Sequence, residues 1–138
     1  MPILATTPQA QVRSAVEPLV RSGESPAPVG VIDLDAFDYN AAQMPTRAGG
    51  LPIRVASKSI RSVAALRRAL EHEGYRGILA YSVPEALHLV GEGFRDIVVA
   101  YPSVNRQALR ELAADDTARE SITVMVDSVE LLLSLIHI

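Results

Sequence analysis

Lys58 closes the run Ile53-Arg54-Val55-Ala56-Ser57-Lys58-Ser59. Residues 53–57 are mainly apolar, too few for a helix of their own, and followed at once by a helical pattern, so they predict a strand. That puts the lysine amine at the carboxyl-terminal edge of a strand, where strand–helix repeats gather their chemistry. A primary amine there can condense with a carbonyl compound to form a Schiff base. Its nitrogen must be neutral to attack, so burial or a neighbouring cation such as Arg54 or Arg61 would help by lowering its pKa. Side chains alternate faces along a strand, so Arg54 and Ala56 are expected to share the face of Lys58. An inward arginine needs a carboxylate or an anionic ligand. Asp33 on the preceding apolar run is the natural partner, and an Arg54–Asp33 pair beneath Lys58 is expected. Tyr81 and Tyr101 end two further apolar runs and are placed to line the same mouth. Each has a bland reading: a solvated strand-end lysine, a snorkelling arginine, and rim tyrosines with their hydroxyls in water.

The other candidates carry less chemistry. Asp35 reads as a helix N-cap rather than half of a carboxylate pair with Asp33. His72 stands between Glu71 and Glu73 on a polar helix end, which predicts exposure. His88 falls within a short helix and His137 near the carboxyl end, and no pair has metal-ligand spacing. Gly49-Gly50 precedes a strand rather than a helix, so it is not a phosphate loop.

The elements that must hold these residues alternate. Apolar runs at 29–34, 53–57, 77–81, 96–101 and 122–126 read as five strands. Amphipathic stretches follow each, and an earlier helix covers residues 9–22. Residues 45–52 read as a loop. Ile60, Val63, Ala64, Leu66 and Leu70 make one helical stripe, ended by Gly74. Ser82-Val83-Pro84-Glu85 spells a capping box with proline in the first turn. Asn105 is placed to cap the helix through Ala108, Leu109 and Leu112. The strands recur at roughly 20–26 residues, the spacing of βα units. They are apolar on both faces, as a covered parallel sheet requires. The fold class is therefore α/β, either an open doubly wound sheet or part of a (β/α)8 barrel of the TIM type. The 138 residues supply little more than half of the roughly 250 that a full barrel needs. The expectation is about the first five βα units of a truncated barrel.

Bulk properties narrow the class further. The chain is 49% hydrophobic, with 13 basic and 16 acidic side chains and a net charge of -3. That balance gives no electrostatic reason to expect nucleic acid or an anionic membrane surface. There is no cysteine, which excludes disulfides and thiolate metal sites and fits a cytoplasmic setting. Met1-Pro2-Ile3-Leu4-Ala5-Thr6-Thr7 is not a secretory leader, and no stretch is long and apolar enough for a membrane span.

Four blocks carry a resemblance. They are Val31-Ile32-Asp33-Leu34-Asp35-Ala36-Phe37, Arg54-Val55-Ala56-Ser57-Lys58-Ser59, Tyr81-Ser82-Val83-Pro84-Glu85-Ala86 and Asp96-Ile97-Val98-Val99-Ala100-Tyr101-Pro102. In order and spacing, across residues 29–130, they resemble the alanine-racemase-like (fold type III) barrels that use pyridoxal phosphate. Within that group they are most similar to the D-threonine aldolase and D-serine dehydratase branch, and in particular to actinobacterial amino acid deaminase/aldolase proteins. The resemblance implies that Lys58 forms the imine with pyridoxal 5'-phosphate. Arg54 and, three residues after the lysine, Arg61 match basic positions of the aldolase branch. Ala56 departs from it, since histidine is common there, and this puts a transferred aldolase mechanism in question.

What the resemblance implies for function is a lyase acting on D- or β-hydroxy amino acids, by retro-aldol cleavage or β-elimination. Lys58, Arg54, Tyr81 and Tyr101 would bind the cofactor. The whole protein would be a cytoplasmic homodimer, with a divalent metal possible only in the full-length form and held by later residues. The alternatives are a pyridoxal-phosphate carrier or homeostasis protein without turnover, and alanine racemase. Residues 1–28 are expected to form a helix and linker, and residues 29–132 the amino-terminal part of the barrel. Leu133-Ser134-Leu135-Ile136-His137-Ile138 looks like the translation of a sequencing adapter, so 133–138 are expected to be an artefact. Half a barrel leaves sheet edges unpaired, so this chain by itself is expected to be inactive and prone to aggregate.

Overall fold

The computed structural model describes residues 8–24 and 28–138. Residues 1–7 of the amino-terminal reading and 25–27 of the expected linker lie outside the described residues. The chain divides into two units, residues 1–40 and 41–138.

The first unit opens with helix α1 (Pro8–Arg21). Val12, Val16 and Val20, spaced four apart on one face, line an apolar groove together with Val31 and Ala36. The expected strand at 29–34 does not form; residues 29–33 pair with no strand. The reason lies in Asp33. Its Oδ1 accepts the Ala36 N–H at 3.0 Å and its carbonyl accepts the Phe37 N–H at 2.9 Å. Asp33, not Asp35, is therefore the N-cap of helix α2 (Leu34–Arg47), and the helix begins inside the expected strand. Without a ladder partner, five extended residues cannot satisfy their own N–H and C=O groups as a strand. Val29, Val31 and Ile32 are left exposed.

Helix α2 also runs on into the expected loop at 45–52, carrying Pro45 in its last turn. In the second unit, strand β1 (Ile53–Ala56) leads into the single-turn helix α3 (Ser57–Ile60) and then α4 (Val63–Leu70). Strand β2 (Tyr75–Ala80), α5 (Val83–Gly91), β3 (Ile97–Val99) and α6 (Arg106–Ala114) follow. The last elements are α7 (Asp116–Ser121), β4 (Ile122–Val124) and α8 (Val129–Ile136). The long stripe expected from Ile60 to Leu70 is thus two helices, separated where Arg61 turns left-handed (φ 49°) and Ser62 caps α4. Ser82, Asn105 and Ser128 cap α5, α6 and α8 by the same side-chain bond three residues ahead. Asp115 does so for α7, a helix the apolar pattern gave no sign of.

The protein is a mixed α/β fold with a parallel sheet in the order β1-β2-β3-β4. Among the described residues it has four strands rather than five. Val55, Ile78, Ile97 and Ile122 stand in register across all four strands, and all four are buried. Each fully buried isoleucine in such a row contributes on the order of 1.5–3 kcal/mol. Leu66, Ala69, Val83, Ala86, Leu89 and Leu109 complete the core from the helices. The alternate row, Ala56, Leu79, Val98 and Thr123, faces the other way and is partly open. The expectation of two equally covered faces thus holds for one face only.

Candidate functional site

The carboxyl-terminal edge of the sheet is organised around the end of β1. The strand stops at Ala56, one residue earlier than expected, and Ser57 opens α3. Lys58 therefore lies on a helical turn just past the strand tip. Alternation holds only along extended backbone, so the turn at Ser57 releases Lys58 from the face of Arg54 and Ala56.

Ser57 is 1% exposed. Its hydroxyl lies 2.8 Å from Glu85 Oε2 and 3.3 Å from the Leu79 carbonyl. It has one proton, and the shorter contact, to a carboxylate, is the stronger acceptor. The same Glu85 oxygen accepts the backbone N–H of Tyr81 at 2.7 Å. One oxygen on the first turn of α5 thus ties the residue before Lys58 to the residue just past β2. In a capping box Glu85 would have reached the N–H of Ser82; it reaches one residue further back.

Lys58 is exposed, and its Nζ lies 5.1 Å from the centroid of the Tyr81 ring. At an exposed site such a contact is worth about 0.5–1 kcal/mol. The Tyr81 and Tyr101 rings meet edge to face, with centroids 5.4 Å apart and planes at 72°. Both tyrosines are about half exposed, 49% and 51%. The structure thus brings Lys58, Tyr81 and Tyr101 together at the tips of β1, β2 and β3. Beside them lies a cavity of about 370 Å³ whose lining includes Lys58, Arg61, Ser62, Ser82, Glu85 and His88.

Arg54 is not part of that lining. Its Nη1 donates to the Asp96 carbonyl and its Nη2 to Asp96 Oδ1, each at 2.7 Å. Asp96 precedes β3, so the Arg54 head group lies toward the amino-terminal edge of the sheet. The expected Arg54–Asp33 pair is replaced, with Arg54 on Asp96 and Asp33 on its own helix cap. The Arg54 guanidinium, helped by Arg76, holds the Asp96 carboxyl below the usual carboxylate range. His72 is partly buried rather than exposed, with its ring edge-on to Tyr75 at 6.4 Å.

Three participants were not singled out for this site by the residue pattern: Ser57, Glu85 and His88. Glu85 and His88, three apart on α5, share a face, which was a usable signal. A stronger one lies in the composition: Lys58 is the only lysine in the 138 residues. No carboxylate pairs with it among the described residues. An exposed amine, two aromatic rings and an adjoining cavity thus meet at one edge of the sheet. The cavity falls within the range of small-ligand pockets, roughly 300–1,000 Å³. Among the described residues, no group of three or more His, Asp or Glu is placed to hold a metal ion, and no helix is long and apolar enough to cross a membrane.

No family model matches the chain, and no match is found among curated proteins.

Proposed function

We propose that the chain is the amino-terminal part of a (β/α)8 barrel in a pyridoxal-phosphate-dependent lyase acting on D- or β-hydroxy amino acids. One observation carries the reading: the sole lysine is presented at the carboxyl-terminal edge of a parallel sheet, against the Tyr81 ring and, among the described residues, free of an ion-pair partner. Supporting it, the strands follow one another in chain order without the reversal of a doubly wound sheet. The half-open row of Ala56, Leu79 and Val98 has the side chains a barrel interior takes.

When bound, pyridoxal phosphate supplies a ring that accepts the electrons of a bond broken at the substrate α-carbon. The chain's own residues do the rest. Lys58 is the residue that would hold the aldehyde carbon through Nζ, and its amine is the base that would carry a proton. The Tyr81 ring lies against that amine, and Tyr101 buttresses Tyr81 edge-on. Ser57 and Glu85 fix the turn from which the amine projects. Arg54 belongs to the scaffold in this reading, through Asp96.

The test is to incubate the protein with pyridoxal phosphate, reduce with borohydride and locate the adduct by mass spectrometry. The expected adduct is on Lys58 and vanishes in Lys58→Ala. An adduct on the amino-terminal amine alone, with none on Lys58, would overturn the reading. Turnover of D-threonine by the protein would mark an enzyme and overturn the expectation that this part of the barrel is inactive by itself.

A further inference from the structure

We infer that the cavity beside Lys58 is an oxyanion subsite, in which Arg61 takes a carboxylate or phosphate group of the molecule condensed on Lys58. The inference rests on the reading of Lys58 as a Schiff-base lysine and adds the charge its ligand must carry. The first support is electrostatic. Lys58 and Arg61 line one cavity of about 370 Å³. Among the described residues neither has a carboxylate partner. Two cations held in one concavity raise the local concentration of anions. The carboxylate that lines it, Glu85, already accepts the Ser57 hydroxyl and the Tyr81 N–H on Oε2, so it is committed to the scaffold.

The second support is the backbone. Arg61 ends α3 in the left-handed region (φ 49°), its N–H donating to the Ser57 carbonyl at 2.8 Å. Glycine or asparagine is the usual residue at such a helix end. An arginine there, among the residues that line the cavity, is accepted at the cost of a less favourable backbone. Its guanidinium offers a planar fork matched to carboxylate and phosphate. The hydroxyls of Ser62 and Ser82 accept the N–H groups of Ala65 and Glu85 and keep their own protons to donate. Both serines line the same cavity.

The oxyanion has two possible sources, the phosphate of an aldehyde cofactor or the carboxylate of an amino or oxo acid. Paired aldehydes separate them. Pyridoxal 5'-phosphate is compared with pyridoxal, and glyoxylate with acetaldehyde, each trapped with cyanoborohydride. The Lys58 nitrogen bonds to the aldehyde carbon, the carbonyl oxygen leaves as water, and the reductant delivers hydride to the C=N bond. The amino-terminal amine serves as internal reference, because Lys58 is the only lysine. The expected result is labelling of Lys58 several-fold faster by the anionic member of at least one pair, and the pair that shows it identifies the source. Arg61→Gln and Arg61→Gly should both erase the preference. The glycine variant suits the left-handed backbone, so its loss of preference cannot be laid to misfolding. Equal labelling within both pairs, or a preference that survives in both variants, would overturn the inference.

A second readout separates this inference from the reading beneath it. Inorganic phosphate should shift the NMR amide signals of Ser62 and Ser82 saturably in the unmodified protein and not in Arg61→Gly. If phosphate titrates those amides while no aldehyde labels Lys58, the Schiff-base reading fails and the subsite stands. If Lys58 is labelled but phosphate moves nothing and no anionic aldehyde is preferred, the subsite fails and the Schiff-base reading stands.

Discussion

Arg54 reaches across β2 to hold Asp96, and it crosses at Gly77, where that strand has no side chain. The register of β1 against β2 slips there, from Ile53↔Tyr75 to Val55↔Ile78, so β2 carries one extra residue. Gly77 absorbs the bulge with φ 69°. A Cβ at Gly77 would collide with the Asp96 carbonyl oxygen and with Arg54 Nη1. Gly77→Ala is therefore expected to lose at least about 1–2 kcal/mol from the left-handed backbone alone, and more from the displaced arginine. Urea denaturation of the two proteins measures it. An alanine variant of unchanged midpoint would show that the crossing is not a constraint.

The same pair sets an acid dependence. The hydrogen bond from Arg54, with smaller help from the charges of Arg54 and Arg76, depresses the Asp96 pKa in the folded protein. A depressed carboxyl contributes stability that is fully present above its unfolded value of about 3.9 and is lost as pH falls through the folded value. Asp96→Asn should therefore flatten the acid limb of the stability curve below about pH 4. Its effect at neutral pH should be no more than about 1 kcal/mol, because both side chains are more than one-third exposed and screened. Thermal melts at a series of pH values test this. An acid limb of unchanged slope would assign the pH dependence to other carboxylates.

What could be read in the sequence was what is local. The caps at Ser82 and Asn105 depend on a side chain and an N–H three residues away, and both are where the pattern put them. The buried row from Val55 to Ile122 follows from apolar runs that had to be interior. The partner of Arg54 was not legible, because it depends on a bulge in β2 and an aspartate 42 positions away. Asp33 was nearer in sequence, but its carboxylate was the first acceptor available to its own helix. The position of Lys58 was right to within a turn; its direction was not, since Ser57 leaves the strand before alternation can carry it. Glu85 was read as half of a capping box and turned out to bridge two strand tips. That required knowing that Ser57 would be buried beside it.

Pro45 and Tyr75 form a second coupled pair. Pro45 has no N–H, so the helical bond to the Ala41 carbonyl four residues back is missing from α2. The Tyr75 hydroxyl donates to that oxygen instead, at 3.1 Å. Tyr75→Phe leaves the carbonyl of a buried residue without that donor and should cost about 1–3 kcal/mol. In a Pro45→Ala background, which restores the N–H, the same change should cost much less. A double-mutant cycle by chemical denaturation gives the coupling. Burial pushes the Tyr75 hydroxyl above its ordinary pKa. Its contribution is therefore complete below about pH 10 and lost as pH rises through the folded value. Independent, additive effects of the two substitutions would dissolve the pairing.

Glu85 offers the sharpest test of how the lysine is held. Its Oε2 is the common acceptor for the Ser57 hydroxyl and the Tyr81 N–H, so the residue before Lys58 and the ring beneath its ammonium share one anchor. Glu85→Gln keeps an acceptor oxygen in place and loses the charge. Glu85→Ala removes both bonds and leaves the hydroxyl of a side chain that is almost fully buried with only the longer contact to Leu79. Hydrogen bonds to a charged acceptor are worth about 1.5–3 kcal/mol each. The alanine variant should therefore lose roughly 3–6 kcal/mol and the glutamine variant less than half of that. The local signature is exchange of the Tyr81 amide with deuterium, slow in the unmodified protein, little changed in Glu85→Gln, and fast in Glu85→Ala. Ser57→Ala removes one bond and should leave the Tyr81 amide protected. Should that amide exchange at one rate in all four proteins, the two strand tips are held together by packing, and the direction of Lys58 owes nothing to Glu85.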